Sequence, residues 1–446
     1  MIESLLIKGV QLVLPTGLFE GDVFVQNGRI ADIGPSLSHA AELTIDEQGL
    51  CLIPGGIDPH VHFREPGATH KESLYTGSKA AVSGGITSFF DMPNTSPSTT
   101  TLEALDAKKK IASDTSLANY NFFIGASGDN LDALIAATDV PGIKIYVGSS
   151  TGSLLVDTIE LLRPIFEQTS LPIAVHSEDE ALVQENYRKY AGSTDVMDHL
   201  NIRSTEAAIR CTKQLVSLAL ECNKRLHVCH LTTKDEAEYL KAVNRKDLIS
   251  TEVTAQHLLT YAPDVYENWG TFAQINPPIR AKEHQQALWK ALLDGTIDCM
   301  GSDHAPHTIA EKEQPFGKAP SGMPGVEHTL PLMLNLVHEN KVSLEQVVNW
   351  VCKKPAELYN IKHKGSLTVG YDADMVLLDL KKSQTITKDN IVSNAGWSIF
   401  EGQTLTGWPI ATFVNGQLVY REGDFFESVK GKAIAFEHSK QSEHCR

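Results

Sequence analysis

The sequence predicts an α/β fold, a (β/α)8 TIM barrel with a small β-sandwich domain formed by both chain termini. Three observations predict it. Short apolar runs alternate with longer segments of helical period through the middle of the chain, which is typical of βα units around a parallel sheet. Runs rich in β-forming residues occur near both ends. The 446 residues suffice for one large and one small domain.

The small domain is predicted over residues 1–53 and 365–430. Asn27-Gly28 near one end and Asn415-Gly416 near the other each separate two short β-rich runs. Asn-Gly between such runs is a strong hairpin signal. We therefore expect the two ends to meet in one β domain, followed by a polar tail over residues 431–446.

The barrel is predicted over residues 54–364 and contains eight candidate strands. In a barrel of this type the active site lies at the C-terminal ends of the strands. The candidate strands are 51–57, 86–91, 120–125, 143–147, 172–176, 226–230, 248–253 and 297–301.

Composition excludes several classes of protein. The formal charge of −16 disfavours a partner such as nucleic acid or an anionic membrane, because both require clustered positive charge. No run of roughly 18 uncharged apolar residues exists for a membrane span, and the first residues lack the pattern of a secretory signal. The seven cysteines never form a Cys-x-x-Cys pair. We expect a globular protein of the reducing cytoplasm.

Ionisable residues occur within or directly after five of the candidate strands. His60 and His62 follow the first strand and, two positions apart, can face one metal ion. Taken singly, each histidine could equally be a hydrogen-bonded core residue, and Asp303 could be a helix N-cap. Their convergence on one rim favours a metal site, since packing does not require four histidines and an aspartate there. The other two histidines are His176 and His230.

Lys144 interrupts the apolar fourth strand, where a lysine is costly unless it is paired or neutralised. One alternative is an edge position from which the ammonium reaches solvent. The other is an uncharged amine that takes up carbon dioxide, and the resulting carbamate could bridge two metal ions.

Four segments together resemble the dihydroorotases, a family of cyclic amidohydrolases, and the resemblance covers nearly the whole chain. The segments are Asp58-Pro59-His60-Val61-His62-Phe63-Arg64-Glu65-Pro66-Gly67, Asp91-Met92-Pro93-Asn94-Thr95, Val175-His176-Ser177-Glu178-Asp179 and Ser302-Asp303-His304-Ala305-Pro306-His307.

The resemblance implies two zinc ions bridged by a carbamylated Lys144. It also implies reversible cyclisation of N-carbamoyl-L-aspartate to L-dihydroorotate in pyrimidine biosynthesis. A hydroxide bridging the metals would attack the ring carbonyl, and Asp303 would act as general base and then general acid. The implied metal ligands are His60, His62, Lys144, His176, His230 and Asp303.

The substrate carboxylate requires donors, and Arg64 offers a planar bidentate one. Asn94 can add an amide donor to the same carboxylate, and His307 can be a second donor, cationic or neutral. The resemblance implies that Asn276 meets the ring. The alternatives are an ordinary salt bridge for Arg64, a turn for Asn94 and Asn276, and loop capping for His307. The segment 308–325 is rich in Gly, Pro and Lys and is predicted to be a loop. The resemblance implies that it closes near the substrate, with the backbone around Gly322 contacting the ring; the alternative is a disordered insert.

The remaining histidines of this region, His257, His304 and His328, are left out of the site. Glu178 and Asp179 are expected to orient neighbouring ligands.

Three alternatives to a dihydroorotase stay open. The chain could be a hydantoinase or dihydropyrimidinase, an allantoinase, or a non-catalytic partner of a transcarbamoylase. A homo-oligomer is possible.

Overall fold

Parallel strands and helices alternate through the middle of the chain and close into a barrel. The computed structural model describes residues 2–148 and 154–437. Its strands are β1 Ser4–Leu14, β2 Gly17–Gln26, β3 Arg29–Gly34, β4 Leu43–Asp46, β5 Cys51–Pro54, β6 Gly56–Val61, β7 Ile86–Asp91, β8 Asn119–Phe122, β9 Ile124–Gly125, β10 Ile143–Tyr146, β11 Ile173–His176, β12 Leu226–Val228, β13 Ile249–Val253, β14 Cys299–Met300, β15 Met375–Thr385, β16 Thr404–Val414, β17 Gln417–Arg421 and β18 Asp424–Phe425.

The α-helices cover the outside of the barrel and its connections. They are α1 Leu74–Ser83, α2 Leu102–Thr115, α3 Leu131–Ala136, α4 Ile159–Gln168, α5 Glu180–Lys189, α6 Asp198–Ile202, α7 Thr205–Glu221, α8 Lys234–Val243, α9 Ala255–Leu259, α10 Asp264–Trp269, α11 Lys282–Leu293, α12 Ile309–Lys312, α13 Thr329–His338, α14 Leu344–Val348 and α15 Lys354–Leu358. None of the described helices is long and apolar enough to cross a membrane.

The barrel strands run in sequence order, as the prediction requires. β6, β7 and β8 form one parallel sheet, and β9 to β14 form another. The chain passes from β8 to β9 through Phe123, whose N–H donates to Asp91 O, 3.1 Å away. The ring closes where the His62 N–H donates to His304 O at 2.8 Å. The predicted fold class, an α/β barrel with a β-rich domain from both termini, is confirmed.

The prediction of one strand over residues 51–57 is wrong. Residues 51–54 form β5, which pairs with β1 and β15 in the terminal sheet. The first barrel strand is β6, which begins at Gly56. The apolar run continues across both strands, so hydrophobicity alone gave no boundary; the backbone changes sheets at Gly55, whose N–H donates to Asp374 O.

Strands from both termini share one nine-stranded sheet with its own apolar core, which includes Leu5, Val23 and Met375. The two Asn-Gly hairpins form as predicted, between β2 and β3 and between β16 and β17. Their turns abut, since a Cβ on Gly416 would lie 2.9 Å from Gly28 Cα. This contact joins the two ends of the chain.

The predicted tail, 431–446, begins against the barrel. The Ile434 N–H donates to Tyr120 O at 2.9 Å, and Ile434 is buried beside Phe90 and Tyr359. These side chains belong to one buried apolar cluster. Residues 438–446 lie outside the described part of the chain, and the predicted domain boundaries stay predictions.

Asp374 ties the terminal sheet to the barrel, and its loss should be costly. Its buried carboxylate pairs with Lys364 and accepts from Asn119 Nδ2 at 3.1 Å and from the Asn415 N–H at 2.7 Å. We expect Asp374→Ala to lower the free energy of unfolding by about 3 kcal/mol, because the Lys364 ammonium keeps only the more exposed Asp372 as an acidic partner and the donors of Asn119 and Asn415 lose their acceptor.

Urea unfolding measures this loss. Asp372→Ala is the matched control, because the Asp372 side chain is more exposed and its loss should cost under about 1 kcal/mol. Equal effects of the two substitutions would contradict the assignment of Asp374 as the tie.

Candidate active site

One cavity of about 460 Å³ opens at the C-terminal ends of the barrel strands. All eleven residues that the sequence nominated lie along its wall. They are His60, His62, Arg64, Asn94, Lys144, His176, His230, Asn276, Asp303, His307 and Gly322. Strand alternation explains part of this, since Ile143 and Ile145 pack toward the helices and Lys144 therefore faces the barrel interior. Which role each residue plays stays a prediction.

His60, His62 and Asp303 form a tight group. Asp303 Oδ1 lies 3.1 Å from His62 Nε2 and 3.4 Å from His60 Nε2. Each imidazole has an acceptor on its other nitrogen: His60 Nδ1 lies 2.5 Å from Glu252 Oε1, and His62 Nδ1 lies 2.6 Å from Asn94 Oδ1. If both Nδ1 atoms carry the proton, both Nε2 lone pairs are turned toward Asp303, as ligands of one cation require.

His176 and His230 form a second group. His176 Nδ1 lies 3.1 Å from His230 Nε2, and His176 Nε2 lies 2.7 Å from Glu178 Oε2. Glu178 also pairs with Arg203. Within the described residues, the buried His230 Nδ1 has no hydrogen-bond partner. Glu178 thus orients a histidine as expected, whereas Asp179 caps α5 through the Leu182 N–H and pairs with Arg210.

Lys144 lines the same cavity as these groups and is fully buried. This overturns the alternative of an edge lysine that reaches solvent. Its Nζ donates to Cys229 Sγ at 3.0 Å, and no carboxylate of the described residues lies within 4.0 Å of it. A buried ammonium without an acidic partner is costly, so ordinary ion pairing does not explain this lysine.

Electrostatics favour the neutral form of His60, His176 and His230 and the ionised form of Asp303. Burial lowers the pKa of His60, His176 and His230 below the usual value. Burial alone would raise the pKa of Asp303, but the surrounding imidazoles lower it below its usual range. Neutral imidazoles and a carboxylate are the donors that divalent metals such as zinc prefer.

Arg64 is a cation without an acidic partner among the described residues. Its Nε donates to Pro306 O at 3.2 Å, and its Nη2 lies 3.2 Å from His307 Nε2. His307 Nε2 also lies 3.1 Å from Ser321 O, while His307 Nδ1 lies 3.1 Å from Lys71 Nζ. The tautomer that satisfies both contacts donates from Nε2 and accepts at Nδ1. Arg64 Nη2 then faces an N–H group, so it remains a donor for an anion.

His307 is not a cationic donor. Burial and the neighbouring Arg64 and Lys71 lower the pKa of His307 to about 2. The Gly322 N–H is likewise engaged, since it donates to Gln274 O at 3.0 Å. A Cβ on Gly322 would lie 2.5 Å from Ala305 O, so the close approach of the two loop strands requires glycine.

Three site residues adopt left-handed backbone conformations that favour glycine. The φ angles are 57° at Arg64, 33° at His230 and 49° at Asp303. Such conformations cost energy and concentrate at functional sites. The histidines that we left out, His257, His304 and His328, are buried away from the cavity wall.

The sequence analysis missed several residues of the site. Arg203, Tyr146 and Tyr187 line the cavity, and Glu252 supports His60 from behind. Of these residues only Glu252 could have been noticed in the sequence, because it is a charged residue in the strand Ile249–Val253, whose other residues are apolar or carry a hydroxyl. Tyr146 reads as an ordinary strand residue, and Arg203 and Tyr187 read as ordinary helix-surface residues.

Comparison with known proteins gives one consistent family. Residues 51–419 match the profile of the amidohydrolase family. A dihydroorotase of Methanosarcina acetivorans is 34% identical over 98% of this chain and 96% of its own length. A dihydroorotase of Listeria welshimeri is 33% identical over 94% of this chain and 99% of its own. The solved L-hydantoinase (dihydropyrimidinase) of Arthrobacter aurescens is 30% identical, covers 98% of this chain and all of its own, and superposes with a TM-score of 0.92.

Proposed function

The chain belongs to the amidohydrolase family, and we propose that within it the protein is a dihydroorotase, which interconverts L-dihydroorotate and N-carbamoyl-L-aspartate in pyrimidine synthesis. The observation that carries this proposal is Arg64, a guanidinium with no acidic partner among the described residues, on the same cavity wall as the histidines and Asp303. A ring with a carboxylate satisfies that cation, and a ring without one leaves it unpaired.

The donor set fits a metal centre. His60, His62 and Asp303 offer donor atoms within 4.8 Å of one another, and His176 and His230 present facing nitrogens. We assign these residues, with Lys144 as a carbamate, to hold zinc, two ions per chain. When bound, zinc acidifies water and polarises a carbonyl.

Substrate orientation follows from the other polar groups that line the same cavity. Arg64 takes the carboxylate, and Asn94 adds its amide NH2, because its Oδ1 is engaged by His62. Asn276 and the loop at Gly322 also line the cavity, where they can hold the ring edge. The ring is thereby held with its reactive carbonyl toward Asp303.

Asp303 moves the proton. As an ionised carboxylate it can accept the proton of the attacking water while the water oxygen bonds to the ring carbonyl carbon. When the ring C–N bond breaks, Asp303 returns that proton to the leaving nitrogen. The reverse sequence closes the ring of N-carbamoyl-L-aspartate.

Metal content is the first expected outcome. Protein dialysed against zinc should hold about two ions per chain by elemental analysis, and chelation should abolish activity. We expect His176→Asn to lower the content by about one ion, since it removes one ligand of the second group. His338→Asn, on the exposed end of α13, is the control. A parent protein that holds no zinc would refute the metal assignment.

The function itself is tested in the ring-closing direction. Zinc-loaded protein should convert N-carbamoyl-L-aspartate to L-dihydroorotate, and the D-enantiomer and chelated protein serve as controls. The second candidate, a hydantoinase, is favoured by the similarity to the solved L-hydantoinase. It would leave carbamoyl-aspartate unchanged and open hydantoin.

A further inference from the structure

One buried carboxylate, that of Glu252, contacts two of the proposed metal ligands. Glu252 lies in β13 and is 1% exposed. Its Oε1 lies 2.5 Å from His60 Nδ1 and accepts from the His230 N–H at 3.3 Å. Its Oε2 lies 3.2 Å from His227 Nε2. The Glu252 carboxylate therefore contacts one residue of β6, one of β12 and one that follows β12 in the chain.

We propose that Glu252 is a positioning residue for the metal centre: it fixes the tautomer and orientation of His60 and the backbone that carries His230. The inference rests on the proposed function, because it presupposes that these histidines bind metal. Glu252 does not itself line the cavity, so it acts through His60 and His230, which do, rather than on the substrate.

The tautomer follows from the chemistry of the carboxylate. An ionised carboxylate only accepts, so His60 must donate from Nδ1 and keep its lone pair on Nε2, the atom that faces Asp303. The negative charge also makes the imidazole a stronger donor to a metal. His227 Nε2 contacts the second carboxylate oxygen, Oε2, and this contact fixes the orientation of the carboxylate plane.

Gly301 provides the space for this carboxylate. A Cβ at Gly301 would lie 2.8 Å from Glu252 Oε2 and 3.2 Å from His60 Cβ. Gly301 has no positive φ, so the glycine is required by the approach of Glu252 rather than by its own backbone conformation. Asp303, the proposed base, follows two residues later, so the segment that makes room for the Glu252 carboxylate also contains the proposed base.

Glu252→Gln is the sharpest perturbation, because the amide has the same shape but places one NH2 group toward His60 or His227. An NH2 facing His60 Nδ1 forces the proton to Nε2 and removes the metal-binding lone pair. We expect zinc affinity, measured by competition with a chromophoric chelator, to fall about 10- to 100-fold. In 15N-histidine NMR spectra of metal-free protein, the tautomer signature of His60 should change.

Glu236→Gln is the matched control, since Glu236 is equally buried but bonds only Thr233 and Thr212. It should leave zinc affinity and the His60 signals unchanged. If Glu252→Gln does not fold, His227→Gln replaces it and should weaken zinc binding severalfold by releasing one carboxylate oxygen. Parent-like zinc affinity in the folded variant would overturn the inference. Failure of the parent protein to bind zinc would instead refute the proposed metal centre.

Discussion

Asp303→Asn should lower kcat for dihydroorotate ring opening by about 100- to 10,000-fold, the usual contribution of a general acid–base group. Asparagine has nearly the same shape, but its amide cannot accept the proton of the attacking water. The side chain sits between His60 and His62, 3.4 and 3.1 Å from their Nε2 atoms, where no other described carboxylate is within reach of both.

Steady-state kinetics at saturating zinc, with metal content measured in parallel, separate the loss of proton transfer from the loss of a ligand. Asp264→Asn, on an exposed turn of α10, is the control and should behave like the parent. A variant that keeps a full complement of zinc and a near-parent kcat would remove Asp303 from the mechanism.

Arg64→Met should lower kcat/KM for L-dihydroorotate by at least about 30-fold, which corresponds to about 2 kcal/mol for one partner of a buried charge pair. Methionine retains much of the side-chain volume and removes only the guanidinium. Dihydrouracil, the same ring without the carboxylate, should be turned over at a similar low rate by parent and variant.

The two substrates together isolate the carboxylate contact. Arg163→Met, which removes an exposed arginine of α4, controls for the loss of a surface charge. If Arg64→Met slowed both rings equally, the arginine would support the loop at Pro306 rather than bind the substrate carboxylate.

The amino-acid sequence could predict the barrel because its strands are apolar and its helices periodic, and it could nominate the histidines because they end those strands. It could not divide residues 51–57, where two strands of different sheets follow one another without a polar break. Nor could it show that Arg64, His230 and Asp303 adopt left-handed backbone conformations, since tertiary contacts impose these on residues that do not prefer them.

The supporting residues were the least predictable part of the site. Glu252 lies 192 positions from His60 in the chain and meets it only because the barrel closes. The engagement of His307 with Ser321 and Lys71, which leaves Arg64 as the available donor, also depends on loop packing that no local pattern encodes.

Competition between rings tests the central claim most directly. Zinc-loaded protein is incubated with equal concentrations of L-dihydroorotate, dihydrouracil, hydantoin and allantoin in one vessel, and each product is quantified over time. A dihydroorotase that selects its substrate through Arg64 should open L-dihydroorotate at least about 30-fold faster than any uncharged ring. Preferential opening of hydantoin, dihydrouracil or allantoin would contradict the account.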